Sequence, residues 1–97
     1  MKVTYLDVAV AEFEEAIQYF NHQRTGLGFE FCNEVKQAIE RIKNYPHAWT
    51  PLSNRTRRCL THRFPYSIIY EARTEQIIIV AIQHLRRKPE NWRDRLR

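Results

Sequence analysis

Glycine is almost missing: 97 residues contain two, together with four prolines. A chain so poor in both is neither collagen-like nor low-complexity and disordered. GxxxxGK[ST], GxGxxG, GxSxG and HExxH are all absent, which removes the common nucleotide, hydrolase and zinc-protease templates. Cysteine is scarce too. Cys32 and Cys59 have neither CxxC spacing nor a clustered histidine, so two reduced, packed thiols are expected, with a single Cys32–Cys59 bridge as the alternative. His22 and His47 fall at or beyond helix ends and His62 and His84 on separate strands, so no metal and no other cofactor is expected. The longest wholly apolar run, Ile77–Ile82, is far short of the ~20 residues that span a bilayer. The apolar stretch after Met1 is broken by Asp7 and Glu12, unlike a signal peptide. A cytoplasmic protein with no membrane contact is the expectation, folded as a single domain over residues 1–97.

Charge is what the chain has in excess. The net charge is +5, yet residues 1–54 carry −2 and residues 55–97 carry +7, ten of the eleven cations in that second half being arginine. Arginine forks suit phosphates and carboxylates. Such a field favours an acidic or polyanionic partner without naming it.

The hydrophobic pattern outlines the elements. Lys2–Leu6 alternates and is β-branched, as a short strand does. Asp7 stands at an N-cap position before a helix over Val8–His22, with Ala9, Phe13, Ile17 and Phe20 on one face. Thr25–Gly28 breaks the pattern, and Phe31, Val35, Ala38, Ile39 and Ile42 resume it until Pro46 forces a stop near Tyr45. Two such helices joined by a short loop form an antiparallel hairpin. After a polar loop over Ala48–Thr56, strands are expected at Arg57–Arg63, Tyr66–Glu71 and Ile77–Ile82 as an antiparallel meander, the last apolar on both faces. The predicted fold is α+β, β-α-α-β-β-β, a helical hairpin packed on a curved, mostly antiparallel small sheet.

One constellation carries chemistry. Arg57, Arg58 and Arg63 lie on or beside one strand, and His84, Arg86, Arg87 and Trp92 follow the last. In a meander of this order those ends are expected on the same side of the sheet. Arginines fix a phosphate and stabilise charge developing on it. A histidine moves a proton near neutral pH, and an indole stacks on a base. These are the parts needed to cleave RNA through its 2′-hydroxyl without a metal. Cys59 sits among arginines that favour a thiolate, but no positioned base is evident, so packing is the better account of it.

The run Arg63-Phe64-Pro65-Tyr66-Ser67-Ile68-Ile69-Tyr70, then Ile77–Ile82, then His84-Leu85-Arg86-Arg87-Lys88-Pro89-Glu90-Asn91-Trp92, resembles the RelE/ParE superfamily of bacterial toxins. The resemblance runs from about Val3 to Trp92. It implies the toxin of a type II toxin–antitoxin pair, held in a hetero-oligomer by an acidic cognate antitoxin and arresting growth when released. ParE-like members poison DNA gyrase by binding it, and the long regular hairpin looks more like these. RelE-like members cleave mRNA on the ribosome. In that alternative Arg58, His84, Arg86 and Trp92 stand for the catalytic set, with Trp92 in the place of a tyrosine and neutral Ser67 in the place of an arginine. Under either reading Arg57, Arg63, Arg87 and Lys88 are expected to contact the antitoxin or the target. A third reading, a detoxified regulator that only pairs with its antitoxin, stays open beside these two.

Overall fold

A computed structural model describes residues 1–87 and 92–96. Strand β1 (Lys2–Tyr5) leads into helices α1 (Asp7–Gln23) and α2 (Leu27–Asn44). Strands β2 (Thr50–Pro51), β3 (Arg57–Leu60), β4 (Tyr66–Arg73) and β5 (Gln76–His84) follow, and a short 3₁₀ turn covers Arg93–Leu96. The sheet order is β1-β5-β4-β3-β2, with β1 parallel to β5 and every other pair antiparallel. The expected α+β architecture is therefore present, with one short strand, β2, inside the stretch read as loop. Thr50 and Pro51 pair with Arg58 and Arg57 there, at the sheet edge where a proline without an N–H is tolerated. Strand β3 stops at Leu60 rather than Arg63, because the Thr61 hydroxyl donates to Phe64 O at 2.7 Å and closes a turn.

Asp7 is not the N-cap. Leu6 holds that position in extended geometry, and Asp7 lies in the first turn, where its charge still suits the helix dipole. Between the helices, Gly26 adopts φ 89°, a left-handed conformation that favours glycine. Gly28 is needed for a different reason. A Cβ there would sit 2.5 Å from Ile17 O and 2.7 Å from Asn21 Cγ, so the helices touch backbone to backbone. Gly28 N–H donates to Asn21 Oδ1 at 2.8 Å and fixes that contact. Tyr45 ends α2 before Pro46, as expected.

The hairpin covers one face of the sheet. Phe13, Phe20, Phe31, Phe64 and Tyr66 interlock with centroids as close as 4.8 Å, over Ile68, Tyr70, Ile77, Ile79 and Ile82. Edge-to-face rings of this kind add to the area they bury. The opposite, outer face has its own cluster of Ile69, Ile78, Val80 and Ala81, covered by Trp92 and Leu96 from the tail. Strand β5 is thus buried on both sides, as its run of apolar residues requires. Cys59 and Cys32 are both free, and Cys59 is buried against the hairpin. Burial pushes the Cys59 thiol up despite the opposing Arg41, so its neighbours do not make it a thiolate.

A bulge interrupts the central pairing. Ile69 faces Ala81 while Tyr70 faces Ile79, leaving Val80 as the extra residue. Val80 and Ala81 consequently point to the same outer face, and the alternation resumes out of phase. Ile82 returns to the hairpin side beside Ile79 and Ile77.

Gly28→Ala should destabilise the fold by about 2 kcal/mol, the cost of overpacking against a backbone carbonyl, read by denaturant unfolding. A second expectation concerns alkaline pH. The Tyr70 hydroxyl donates to Pro46 O at 2.6 Å, and burial pushes its pKa up to about 12. The folded state holds this proton more tightly than the unfolded chain, whose phenol titrates near ~10. The contribution is fully present below that pH and is lost as pH rises toward the folded value, by up to about 2 kcal/mol. Unfolding curves between those limits should show the loss in the native protein and a flatter profile in Tyr70→Phe.

Candidate functional site

The bulge decides where His84 points. Without it, alternation from Ile78 would carry residue 84 to the outer face. Instead His84 pairs with Tyr66 and shares its side, the two rings meeting edge-on at 5.7 Å. There the end of β5 and the second half of α1 enclose a groove of about 310 Å³. Its walls include Tyr19, Tyr66 and His84, with Glu12 and Glu15 on the helix and Arg87 beyond the strand. The Arg86 backbone N–H donates to His84 Nδ1 at 3.1 Å, so the neutral ring keeps its proton on Nε2. Arg87 N–H closes the same turn on His84 O at 3.0 Å. Burial raises the Tyr66 pKa, with Tyr19 adding to it and Arg87 opposing it, so these groups sense one another across the groove.

The other candidates are dispersed. Arg58 lies opposite Ile69, a residue of the outer cluster, and so projects from the outer face of the sheet. His84 faces the hairpin, and the two do not converge. Trp92 is 5% exposed, packed on Ile69, Ile78, Val80 and Ala81, which leaves its ring no room to stack on a base. Arg57 lies opposite Tyr70 on the hairpin side and donates to Trp49 O at 2.8 Å. Arg63 binds Glu30 at 2.6 Å, while Glu34 accepts the backbone N–H groups of His62 and Arg63. The hydrogen bonds from Arg63 and Arg24 hold the Glu30 carboxyl below its ordinary value. These two arginines brace the turn to α2. Arg86 and Arg87 are exposed, and neither side chain has a hydrogen bond or ion pair among the described residues. Lys88 lies outside the described residues.

Other cations hold the outer face together. Glu71 is buried at 7% exposure between Arg55 and Arg73, both at 2.8 Å. Burial would raise its carboxyl, and the two arginine bonds outweigh that and hold it low.

Glu12 and Arg95 carry no motif, yet they hold the margin of the groove. Arg95 grips Glu12 through both nitrogens, at 2.8 and 2.9 Å, and also donates to Val80 O at 3.0 Å. Glu12 in turn accepts the Ile82 N–H at 3.1 Å and the Gln83 side-chain amide at 3.3 Å. Strand β1 pairs with β5 only as far as Ile79, so Val80 O and Ile82 N belong to a stretch of strand edge with no neighbouring strand among the described residues. A buried backbone group without a partner is costly, and here two side chains supply the partners. The only sequence signal was the helical stripe Glu12, Glu15, Tyr19, which reads as a solvated face until the bulge is known.

Among the described residues no helix is long and apolar enough to cross a membrane, and no three His, Cys, Asp or Glu residues group as a metal site. The sequence matches, over residues 3–89, the family described as ParE toxin of type II toxin–antitoxin system, parDE. No curated protein matches it. A solved structure described as a chromosomal ParDE TA system from P. aeruginosa contains a chain with the same fold, at TM-score 0.68 and 13% identity, covering 87% of this chain and 95% of that one.

The Glu12–Arg95 pair is mostly buried, with side chains 21% and 16% exposed. Removing either partner leaves a charge and a backbone group uncompensated. A double-mutant cycle of Glu12→Ala and Arg95→Ala should return a coupling of about 1–3 kcal/mol in unfolding free energy.

Proposed function

The chain belongs to the ParE toxin family of type II toxin–antitoxin systems, and from that premise we propose that it arrests growth by binding a protein target, DNA gyrase, when its acidic antitoxin is lost. It acts in the cytoplasm as an inhibitor rather than a nuclease. The observation that carries this reading is the separation of the would-be catalytic set. Arg58 projects from the outer face, His84 opens on the groove, and Trp92 is packed into the outer cluster. A metal-free ribonuclease needs its proton carrier and its phosphate-fixing cations around one atom. What remains together is a recognition surface: an aromatic groove with Arg86 and Arg87 exposed at its end. The +7 charge of residues 55–97 supports an acidic partner that neutralises this end until release.

Expression alone should stop growth, and co-expression with the antitoxin should restore it. Arg86→Ala combined with Arg87→Ala should relieve the arrest while leaving folding intact, because neither side chain supports the core. Purified toxin should block supercoiling by gyrase and leave translated mRNA whole. Codon-positioned cuts with normal supercoiling would replace this reading with the RelE-like one.

A further inference from the structure

The two edges of the sheet are finished differently. Strand β2 closes one of them with two residues, and its Pro51 has no N–H to offer. Strand β1 closes the other with four residues and no proline. Lys2 N–H bonds to Glu75 O and Leu6 N–H to Ile79 O, so the even-numbered residues of this parallel pair direct their backbone at β5. Val3 and Tyr5 therefore turn theirs outward, two N–H and two C=O groups without a partner among the described residues. Apolar surface gathers beside them. Met1, Tyr5, Val8 and Val10 are four of the nine large hydrophobics exposed among the described residues, and all four lie on or next to this strand in the chain.

We propose that this edge pairs with the same edge of a second copy of the chain, β1 against β1, antiparallel about a two-fold axis at Thr4, joining two five-stranded sheets into one. The edge is self-complementary in that register. Val3 comes opposite Tyr5 of the second copy and Tyr5 opposite its Val3, so each pair exchanges two hydrogen bonds and every outward group is satisfied on both copies. Val3 packs on the hairpin side and alternation puts Tyr5 there too, so each Tyr5 ring covers Val3 of the other copy. Thr4 meets Thr4 across the axis on the outer side. Its hydroxyl accepts from Gln76 Nε2 at 2.8 Å and keeps its own proton to donate across the seam. Charge agrees with the pairing. Lys2 of one copy comes opposite Leu6 of the other, next to its Asp7, and neither Lys2 nor Asp7 has an ion pair among the described residues. A second copy is the occupant these features select, because the two-fold axis matches each donor with an acceptor and each cation with an anion. The seam ends at Tyr5, level with Ile79, whereas the groove lies at Ile82–His84, so the groove stays outside it on each copy. Four hydrogen bonds and a small apolar rim make a weak dimer, with a dissociation constant on the order of micromolar or above. The pairing is independent of which target the toxin binds.

Sedimentation of the full chain tests this. Its average mass should rise from one chain toward two between about 5 and about 500 µM. Tyr5→Pro removes an outward N–H and none that β5 uses, so it should weaken the dimer about tenfold or more while the unfolding temperature stays close to that of the native chain. Should that variant fail to fold, a cysteine reads the register instead. In a Cys32→Ser background, Thr4→Cys puts two thiols on Cα atoms about 4.5 Å apart, a separation that a disulfide spans. Mild oxidation should link Thr4→Cys into a covalent dimer and leave Lys2→Cys, at a more exposed position, unlinked. Three results overturn the proposal: a mass fixed at one chain up to the highest concentration, a folded Tyr5→Pro variant that dimerises as well as the native chain, or equal linking of Lys2→Cys and Thr4→Cys.

Discussion

Strand β5 sends Ile77, Ile79 and Ile82 toward the helices and Ile78, Val80 and Ala81 the other way, so water has to be excluded from both sides of one strand. The helical hairpin meets one demand, with Phe13, Phe20 and Phe31 wedged over the isoleucines. The tail meets the other with Trp92 and Leu96. Arg95 couples the two covers, since it is part of the tail and yet binds Glu12 on α1 and Val80 O on β5. Hydrophobic burial at roughly 25 cal/mol per Å² drives both coverings, while the ion pair mainly prevents the cost of unpaired backbone groups on the part of β5 beyond its pairing with β1.

The bulge at Val80 links this packing to function. It keeps the apolar side chains of β5 on the faces that cover them, and it reverses the phase of everything beyond it. His84 is thereby moved away from Arg58 and toward Tyr66, Tyr19 and Arg87. A one-residue change of phase in a strand exchanges its faces. In this chain that exchange puts His84 in the wall of the groove and leaves Arg58 on the opposite face of the sheet.

Much of the fold was legible in the sequence. Helical spacing from Ala9 to Phe20 and from Phe31 to Ile42, a stop before Pro46 and a doubly apolar last strand all have local causes, and the structure contains them. The bulge was hidden because Ile-Ile-Ile-Val-Ala-Ile is apolar at every position, so a phase change leaves no mark in the pattern. The Glu12–Arg95 pair spans most of the chain, and no local rule joins such residues. The arginines of the second half looked like one basic surface. In the fold Arg55, Arg57, Arg63, Arg73 and Arg95 are committed to carboxylates and carbonyls, and exposed Arg86 and Arg87 keep their heads in water. Composition counts charges, whereas folding decides which of them face a partner.

The central claim is that the groove beside His84 is a surface for binding protein. A photo-crosslinking residue in place of Tyr19, which is 55% exposed and lines that groove, tests it most directly in growth-arrested cells. The account predicts crosslinks to a gyrase subunit in the absence of antitoxin and to the antitoxin in its presence. Crosslinks to ribosomal components or mRNA, with none to gyrase, would contradict it.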